Sequence, residues 1–371
     1  MHKKKFKLIC CLVPIFIIGL AIVGLWIKLF FFTGREYRAL LDINYVSKNG
    51  NYPIDLVYLW CDDNPQRKEI RNKLKRKLGI VDIKDENLRG ATAKERFISN
   101  DELKYSLRSV EKYAPWINKI YIVTDNQVPN WLNTKHPKIK IVDHKEIMPA
   151  SARPSFNSVA IEFSMVNIPG LSEHFLYAND DMFFVSRVEP GDFFKDGKPI
   201  YVLLHKLPDK ITNKNYSITI NNSYNAIKTK FGDNPWIRRY PHHNIDPYTK
   251  TDILNTNKEF KEGIEETINS HFRSNENLQR QIYTYYSILS GNGYYKVQTK
   301  ELWYNWKSKI AEKPLRISDI YNIHYICLDS FISKNIKMLC TNDDEFTTDL
   351  DRLKYKVVME QIFPSKSAFE K

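Results

Sequence analysis

The chain has 371 residues, of which 43% are hydrophobic and 27% charged, and its formal net charge is +13. Such a composition excludes a fibrous or disordered chain, and the length allows one large core or two modest ones. The positive excess favours anionic ligands, although a lysine-rich solvated surface explains it equally well; with no zinc-finger spacing, RNP-like motif or basic heptads, nucleic acid is not indicated as a partner.

The N-terminus opens with a basic tail, residues 1–7, carrying Lys3, Lys4, Lys5 and Lys7. An uncharged run follows from Leu8 to Ile27, about the twenty residues a helix needs to cross a bilayer core. With Lys28 able to snorkel and Trp26 at an interfacial position, residues 8–32 are expected to form one transmembrane signal anchor. A cleaved signal peptide fits less well, because the run is long and lacks a small-x-small exit. The lysine bias before the anchor turns the N-terminus toward the cytoplasm and the body outward, by a margin thin enough to leave the reverse orientation in play. Both topologies stay open. Of the five cysteines, Cys10 and Cys11 fall in the anchor, and Cys61, Cys327 and Cys340 are widely spaced. No CxxC occurs, so neither a zinc site nor a disulfide framework is indicated, and a single Cys327–Cys340 bridge stays open.

Residues 33–52 read as a connector, and 53–371 as the folded body. The β-prone runs are Ile54–Trp60, Lys119–Thr124, Ile139–Val142 and His174–Ala178. Between the first two, Leu103, Leu107 and Val110 recur at helical spacing over 100–114, with Asn100 or Ser99 as cap and Pro115 as stop. Composition shifts toward Asn, Lys, Thr, Tyr and Pro over about 208–260, expected to be an insertion of loops and short helices. Residues 276–290 carry Leu278, Ile282, Tyr285 and Leu289 on one helical face, a core stripe. Residues 346–362 read as a closing helix. Strands alternating with helices predict an α/β fold, a Rossmann-like, mostly parallel sheet with a helical insertion.

Each apolar run is followed at once by acid: Asp62 and Asp63, Asp125, Asp143, then Asp180 and Asp181. Ligands of open α/β sheets bind at the carboxyl ends of the strands, and carboxylates gathered there call for a divalent cation, Mg²⁺ or Mn²⁺. A single Asp after a strand is as often a turn or helix cap, which holds for Asp125 and Asp143. The adjacent pair Asp180-Asp181 is the stronger signal. His242 and His243 lie in a loop between Pro241 and Pro247, where an imidazole near its ordinary pKa can take a proton; solvated loop histidines are the plainer alternative. Arg273, just before a predicted helix, presents a fork suited to phosphate oxygens, or else a salt bridge.

Four blocks of residues, in order, resemble the Stealth proteins, which include capsular polysaccharide phosphotransferases and the lysosomal-enzyme N-acetylglucosamine-1-phosphotransferase. The first is Ile54 to Asp62. The second runs from Arg96-Phe97 and Asn100–Ser109 through Tyr121–Asp125 and Phe156–Ser158 to Gly170–Asp181. The third holds His243, Pro247 and Phe272-Arg273-Ser274. The fourth is Leu339–Asp343, followed by Phe363-Pro364. They span about 54 to 365. Asp63 stands where the family usually has glycine, and His242 beside His243 leaves the register of the third block one residue ambiguous.

The resemblance implies a nucleotide-sugar-transferase-like fold and an enzyme that moves a sugar-1-phosphate from a nucleoside-diphosphate sugar, a UDP-sugar in the first instance, to a hydroxyl of a glycan acceptor. It places Asp181, His243 and Arg273 in the catalytic centre. It makes Asp62, Asp125, Arg96, Asn157 and Asn342 substrate-binding, and Asp180, Asp181 and Asp343 metal ligands. A glycosyltransferase that releases nucleoside diphosphate, and an inactive carbohydrate-binding membrane protein, are the alternatives. Donor sugar, acceptor and oligomeric state are not set by the sequence.

Overall fold

The protein is described by a computed structural model covering residues 52–62, 64–80, 97–207, 215–297, 315–316, 337–343 and 347–371. The expected anchor, Asp63, Arg96 and Cys327 lie outside the described residues, among which no helix is long and apolar enough to cross a membrane. Among the described residues neither Cys61 nor Cys340 forms a disulfide.

In chain order the main elements begin with β1 (Ile54–Leu59), α1 (Pro65–Lys77), α2 (Glu102–Tyr113), β2 (Ile120–Thr124) and β3 (Ile139–Asp143). Next come α3 (Ser158–Ser164), β4 (His174–Asn179), β5 (Met182–Phe184), β6 (Lys198–Lys206) and α4 (Asn215–Phe231). The chain continues through β7 (Arg239–Pro241), β8 (Asp246–Thr249), α5 (Lys250–Glu259), α6 (Lys261–Ile268) and α7 (Gln281–Leu289). It closes with β9 (Met338–Asn342) and α8 (Asp349–Ile362).

The central sheet has the order β3-β2-β1-β4-β8. Its first four strands are parallel and β8 is antiparallel to β4. The inner strands β1, β2 and β4 read as mostly apolar runs because both of their faces are covered. Val57, Tyr121, Val123, Phe175 and Tyr177 enter one core cluster, while Leu56, Tyr58, Ile120, Ile122, Leu176 and Ala178, on the opposite face, enter another. The period-two split of side chains thus builds two cores on one sheet.

Strand order reverses between β1 and β4. A crevice opens at the carboxyl ends of such a pair, the usual ligand position of an open α/β sheet. The β4–β8 register pairs Tyr177 with Asp246, so the head of β8 and the histidines just before it come to the rim where β4 ends.

Two expectations are corrected. The stretch 208–260, expected as loops and short helices, contains the 17-residue α4 and the edge strand β8. Ile220, Tyr224 and Ile227 of α4 lie in the core at helical spacing, and Pro247 is tolerated because β8 is at the sheet edge. The cap of α2 is Asp101, in a left-handed conformation with φ 66° and no side-chain capping bond. Asn100 instead spends its amide on Glu102 Oε1 at 2.8 Å.

Candidate active site at the carboxyl rim

The acidic half of the site is built by three segments. Asp180 and Asp181 turn the chain from β4 into β5, which pairs antiparallel with β9. Thr341 N donates to Asp181 O at 2.9 Å, drawing the end of β9 against that turn. Beneath it lies Glu102, the buried first residue of α2. Burial, then the neighbouring Glu102 charge, pushes the Asp181 carboxyl up to about 7 and Asp180 well above the carboxylate range. Glu102 is itself raised to about 7 by burial, with Asp343 adding repulsion. Among the described residues Asp181 Oδ1 is buried without a conventional hydrogen-bond partner, the Cys340 thiol being its polar neighbour.

Desolvated carboxyl oxygens short of counter-charge suit a hard divalent cation. Among the described residues no group of three His, Cys, Asp or Glu side chains is arranged to hold a metal ion. An ion would therefore rest on the aspartate pair, with substrate phosphates and water completing its shell, a common way of binding Mg²⁺. Asp343, expected as a ligand, is engaged elsewhere. Arg352 grips both its oxygens, at 2.9 and 3.2 Å, and Asn100 Nδ2 donates to it at 3.3 Å. It braces the Asn100–Glu102 corner. The backbone of Asn342 ends β9 beside the acidic turn.

The basic half sits at the head of β8. His242 is buried, with Nε2 2.8 Å from Asp246 Oδ1. Asp246 Oδ2 accepts from Arg280 Nη1. Burial works against the Asp246 carboxylate, but Arg280 and His242 outweigh it and hold the group below the usual range. His243 is half-buried, its ring edge-on to Tyr216 with centroids 6.1 Å apart. Burial first, then the Arg280 charge, with Arg273 adding to it, lowers the imidazole to about 4. His243 is therefore neutral at pH 7. Of the two adjacent histidines, His242 is bonded to an interior carboxylate, whereas His243 is half-buried against Tyr216.

Arg273 donates through Nη2 to Ser158 Oγ at the start of α3. Asn157, expected to bind substrate, is fully buried and uses its whole amide inside the protein. Its Oδ1 caps α3 by accepting from Val159 N at 3.2 Å. Its Nδ2 donates to Ser270 O at 3.1 Å and to Asn277 Oδ1 at 3.0 Å. Asn157 ties the Arg273 loop to α3 and has no group left for a ligand.

Farther along the rim, Asp62 has an exposed side chain, and its backbone is clasped by Gln127, which donates to Asp62 O at 2.6 Å and accepts from Asp62 N at 3.2 Å. Asp125 pairs with Arg67, and Asp143 caps the turn His144–Ile147. These two acids have the ion-pair and cap roles that a lone strand-end Asp often has. They also border an open depression of about 530 Å³ lined by Asn126, Lys145, Arg153 and Pro154.

Sequence reasoning missed Glu102 and Arg280. Glu102 has the look of an ordinary first-turn acid, and its burial near Asp181 and Asp343 arises from residues distant in sequence. Arg280 falls inside a predicted helical run whose polar residues carried no distinguishing spacing.

An α/β sheet with carboxyls at its topological switch point, and a neutral imidazole in the turn before the neighbouring antiparallel strand, has the layout of a ligand-binding rim. Residues 96–201 match the model of Stealth protein CR2, conserved region 2. A capsular polysaccharide phosphotransferase of Haemophilus influenzae, fcs1, is 34% identical over 272 residues, 71% of this chain and 72% of that protein. The chain belongs to the Stealth family. An exopolysaccharide phosphotransferase of Lactiplantibacillus plantarum, cps2G, is 44% identical over 156 residues, 41% of this chain and 42% of that protein. SacB, a capsular polysaccharide phosphotransferase of Neisseria meningitidis serogroup A, is 29% identical over 359 residues, 91% of this chain and 60% of that protein. The matches thus span between 42% and 72% of these relatives' lengths. The solved galactosyltransferase LgtC aligns with 83% of this chain and 96% of its own at a TM-score of 0.38 and 9% identity, too loose a likeness to carry an argument.

Proposed function

We propose that the protein transfers a sugar-1-phosphate from a nucleoside-diphosphate sugar, a UDP-sugar in the first instance, to a hydroxyl of a glycan acceptor, forming a phosphodiester of a capsule or cell-surface polysaccharide. The observation that carries this is the antiparallel β4–β8 pairing, which brings the turn after β4, holding Asp180 and Asp181, and the turn before β8, holding neutral His243, to one end of the sheet, with the Arg273 charge felt at His243. The names of the relatives support it.

In the proposed reaction the acceptor oxygen attacks the β-phosphorus. Its proton goes to the neutral His243 imidazole as the new P–O bond forms. The bond from the β-phosphorus to the bridging oxygen breaks, and its electron pair leaves with the nucleoside monophosphate. Arg273 faces the phosphoryl oxygens and stabilises the charge spread over them, since phosphoryl transfer rests mainly on positioning and electrostatics. A divalent ion held by Asp180 and Asp181 would supply charge neutralisation for the diphosphate. A low-pKa imidazole is a weak base in the free enzyme; the incoming phosphate charge strengthens it when the substrate arrives. Residues 8–32 are proposed to tether this body to a membrane, since their uncharged length matches a bilayer core.

Identification of the released nucleotide tests the reading. The full chain in detergent, given a panel of nucleotide sugars, Mg²⁺ or Mn²⁺ and an oligosaccharide acceptor, is expected to release nucleoside monophosphate. Release of diphosphate would instead indicate attack at the anomeric carbon and a conventional glycosyltransferase.

A further inference from the structure

One guanidinium holds the basic half of the site together without facing the rim. Arg280 is 3% exposed and immediately precedes α7. Its Nη1 donates to Asp246 Oδ2 and, at 3.0 Å, to the Tyr248 hydroxyl, both on β8. Its Nε lies 3.4 Å from Glu162 Oε2 on α3. Its plane stands 4.8 Å from the Tyr177 ring on β4. Three elements therefore converge on this side chain, and two of its partners are buried carboxylates. Stability alone does not call for the arrangement. A buried ion cluster can often be replaced by packed apolar groups at no loss, so burial alone gives this cluster no clear stabilising role.

We infer that Arg280 is a positioning residue for the transfer step, pinning Asp246, and through it His242, so that the turn before β8 presents His243 beside Arg273. The inference rests on the proposed function for its catalytic meaning but not for its geometry. The charge of Arg280 has a second effect. The groups that face His243 are Asp246 from β8, His242 from the same turn, Arg273 from the loop before α7, Tyr216 from α4 and Arg280 itself. Of these, Asp246 favours the imidazolium, whereas Arg280, His242 and Arg273 oppose it in addition to burial. Arg280 heads the opposing charges. It thereby keeps His243 ready to accept a proton.

Two variants separate position from charge. Arg280→Lys keeps the charge but cannot bridge Asp246 and Tyr248 as a fork. The paired change Arg280→Met with Glu162→Gln removes the cation together with one of its anions, leaving Asp246 its bond to His242. NMR titration of labelled imidazoles in the full chain, with the His243 signal assigned by its loss in His243→Asn, reads the charge effect whether or not the protein turns over. The His243 midpoint is expected near 4 in the wild type and in Arg280→Lys. In the paired variant it should lie higher by about one pH unit or more. Nucleotide release is expected to fall about tenfold in kcat for Arg280→Lys, with KM for the donor little changed, and by about 10²-fold for the paired variant. An unmoved His243 midpoint in the paired variant, or wild-type kcat in Arg280→Lys, overturns the inference. If the paired variant does not fold by circular dichroism, Arg280→Lys decides alone through its kcat. A wild type that releases no nucleotide would defeat the functional reading, and the titration would still judge the electrostatic role of Arg280.

Discussion

His242 and His243 are adjacent in sequence, yet their surroundings assign them different work. His242 Nε2 is bound to a buried carboxylate, and His243 stands half-buried and neutral near Arg273. Replacing each with alanine should therefore give distinct signatures. His243→Ala is expected to lower kcat by about 10²–10⁴-fold, the usual cost of losing a general base, with an unchanged urea midpoint. His242→Ala leaves the Asp246 carboxylate short of one buried partner and should cost about 1–3 kcal/mol in urea unfolding. Equal losses of activity without any loss of stability in His242→Ala would assign the base to the wrong imidazole. The pairing of His243 with Arg273 was legible in the third block of the resemblance, but the locking of His242 was not, because it depends on Asp246 being drawn to Tyr177 across the β4–β8 ladder. Glu102 shows the same limit. Its helix is plain in the spacing of Leu103, Leu107 and Val110, whereas its burial against the Asp181 turn is a tertiary event.

At the scale of elements, β1, β2 and β4 were readable because they are buried on both faces and so appear as mostly apolar runs, while the edge strand β3 keeps Lys140 exposed. β8 was not readable. Four residues containing Pro247 carry too little pattern, and its membership of the sheet is fixed by pairing with β4 alone. α4 carries Ile220, Tyr224 and Ile227 at helical spacing, but its Asn, Ser, Thr and Tyr content is poor in helix formers, and packing overrides that propensity. The start of α3 links such local structure to the site. Asn157 caps that helix while its amide nitrogen holds the 270–277 loop, and Ser158 receives Arg273. Asn157→Ala is expected to cost about 1–2 kcal/mol for the cap and buried bonds. It should also lower kcat for nucleotide release about tenfold, because Arg273 loses its fixed orientation. Ser158→Ala removes only the guanidinium contact and should lower kcat with little change in the urea midpoint. A normal kcat in both variants would detach the α3 cap from catalysis.

At the scale of the whole molecule, the chain's last residues close back on the element that carries Glu102. Arg108, on α2, donates through Nε and Nη2 to both carboxylate oxygens of Glu370 at 2.8 and 2.9 Å. Its Nη1 reaches Glu360 at 2.8 Å and the Phe363 carbonyl at 2.7 Å. Lys371 N donates to Trp131 O at 2.8 Å, stitching the end of the chain to the loop between β2 and β3. The Arg108 and Glu370 side chains are only 8% and 3% exposed, so removing one strands the other's charge, a loss of about 3–5 kcal/mol for buried pairs. Arg108→Ala is expected to unfold at lower urea by that order. Burial pushes the Glu370 carboxyl upward, but its bonds from Arg108 and Ser367 prevail and hold it below its ordinary 4.5. A group with a depressed folded pKa contributes its full stability above the unfolded value and loses it as pH falls through the folded one. The stability gap between wild type and Glu370→Gln should accordingly stay constant from pH 8 to about 5 and narrow below about 4.5. Urea unfolding of both proteins at pH 7 and pH 3.5 measures it. A gap that stays just as wide at pH 3.5 would mean that the ionised Glu370 is not what keeps the C-terminal tail against α2, and that the carbonyl bond from Arg108 to Phe363 does so instead.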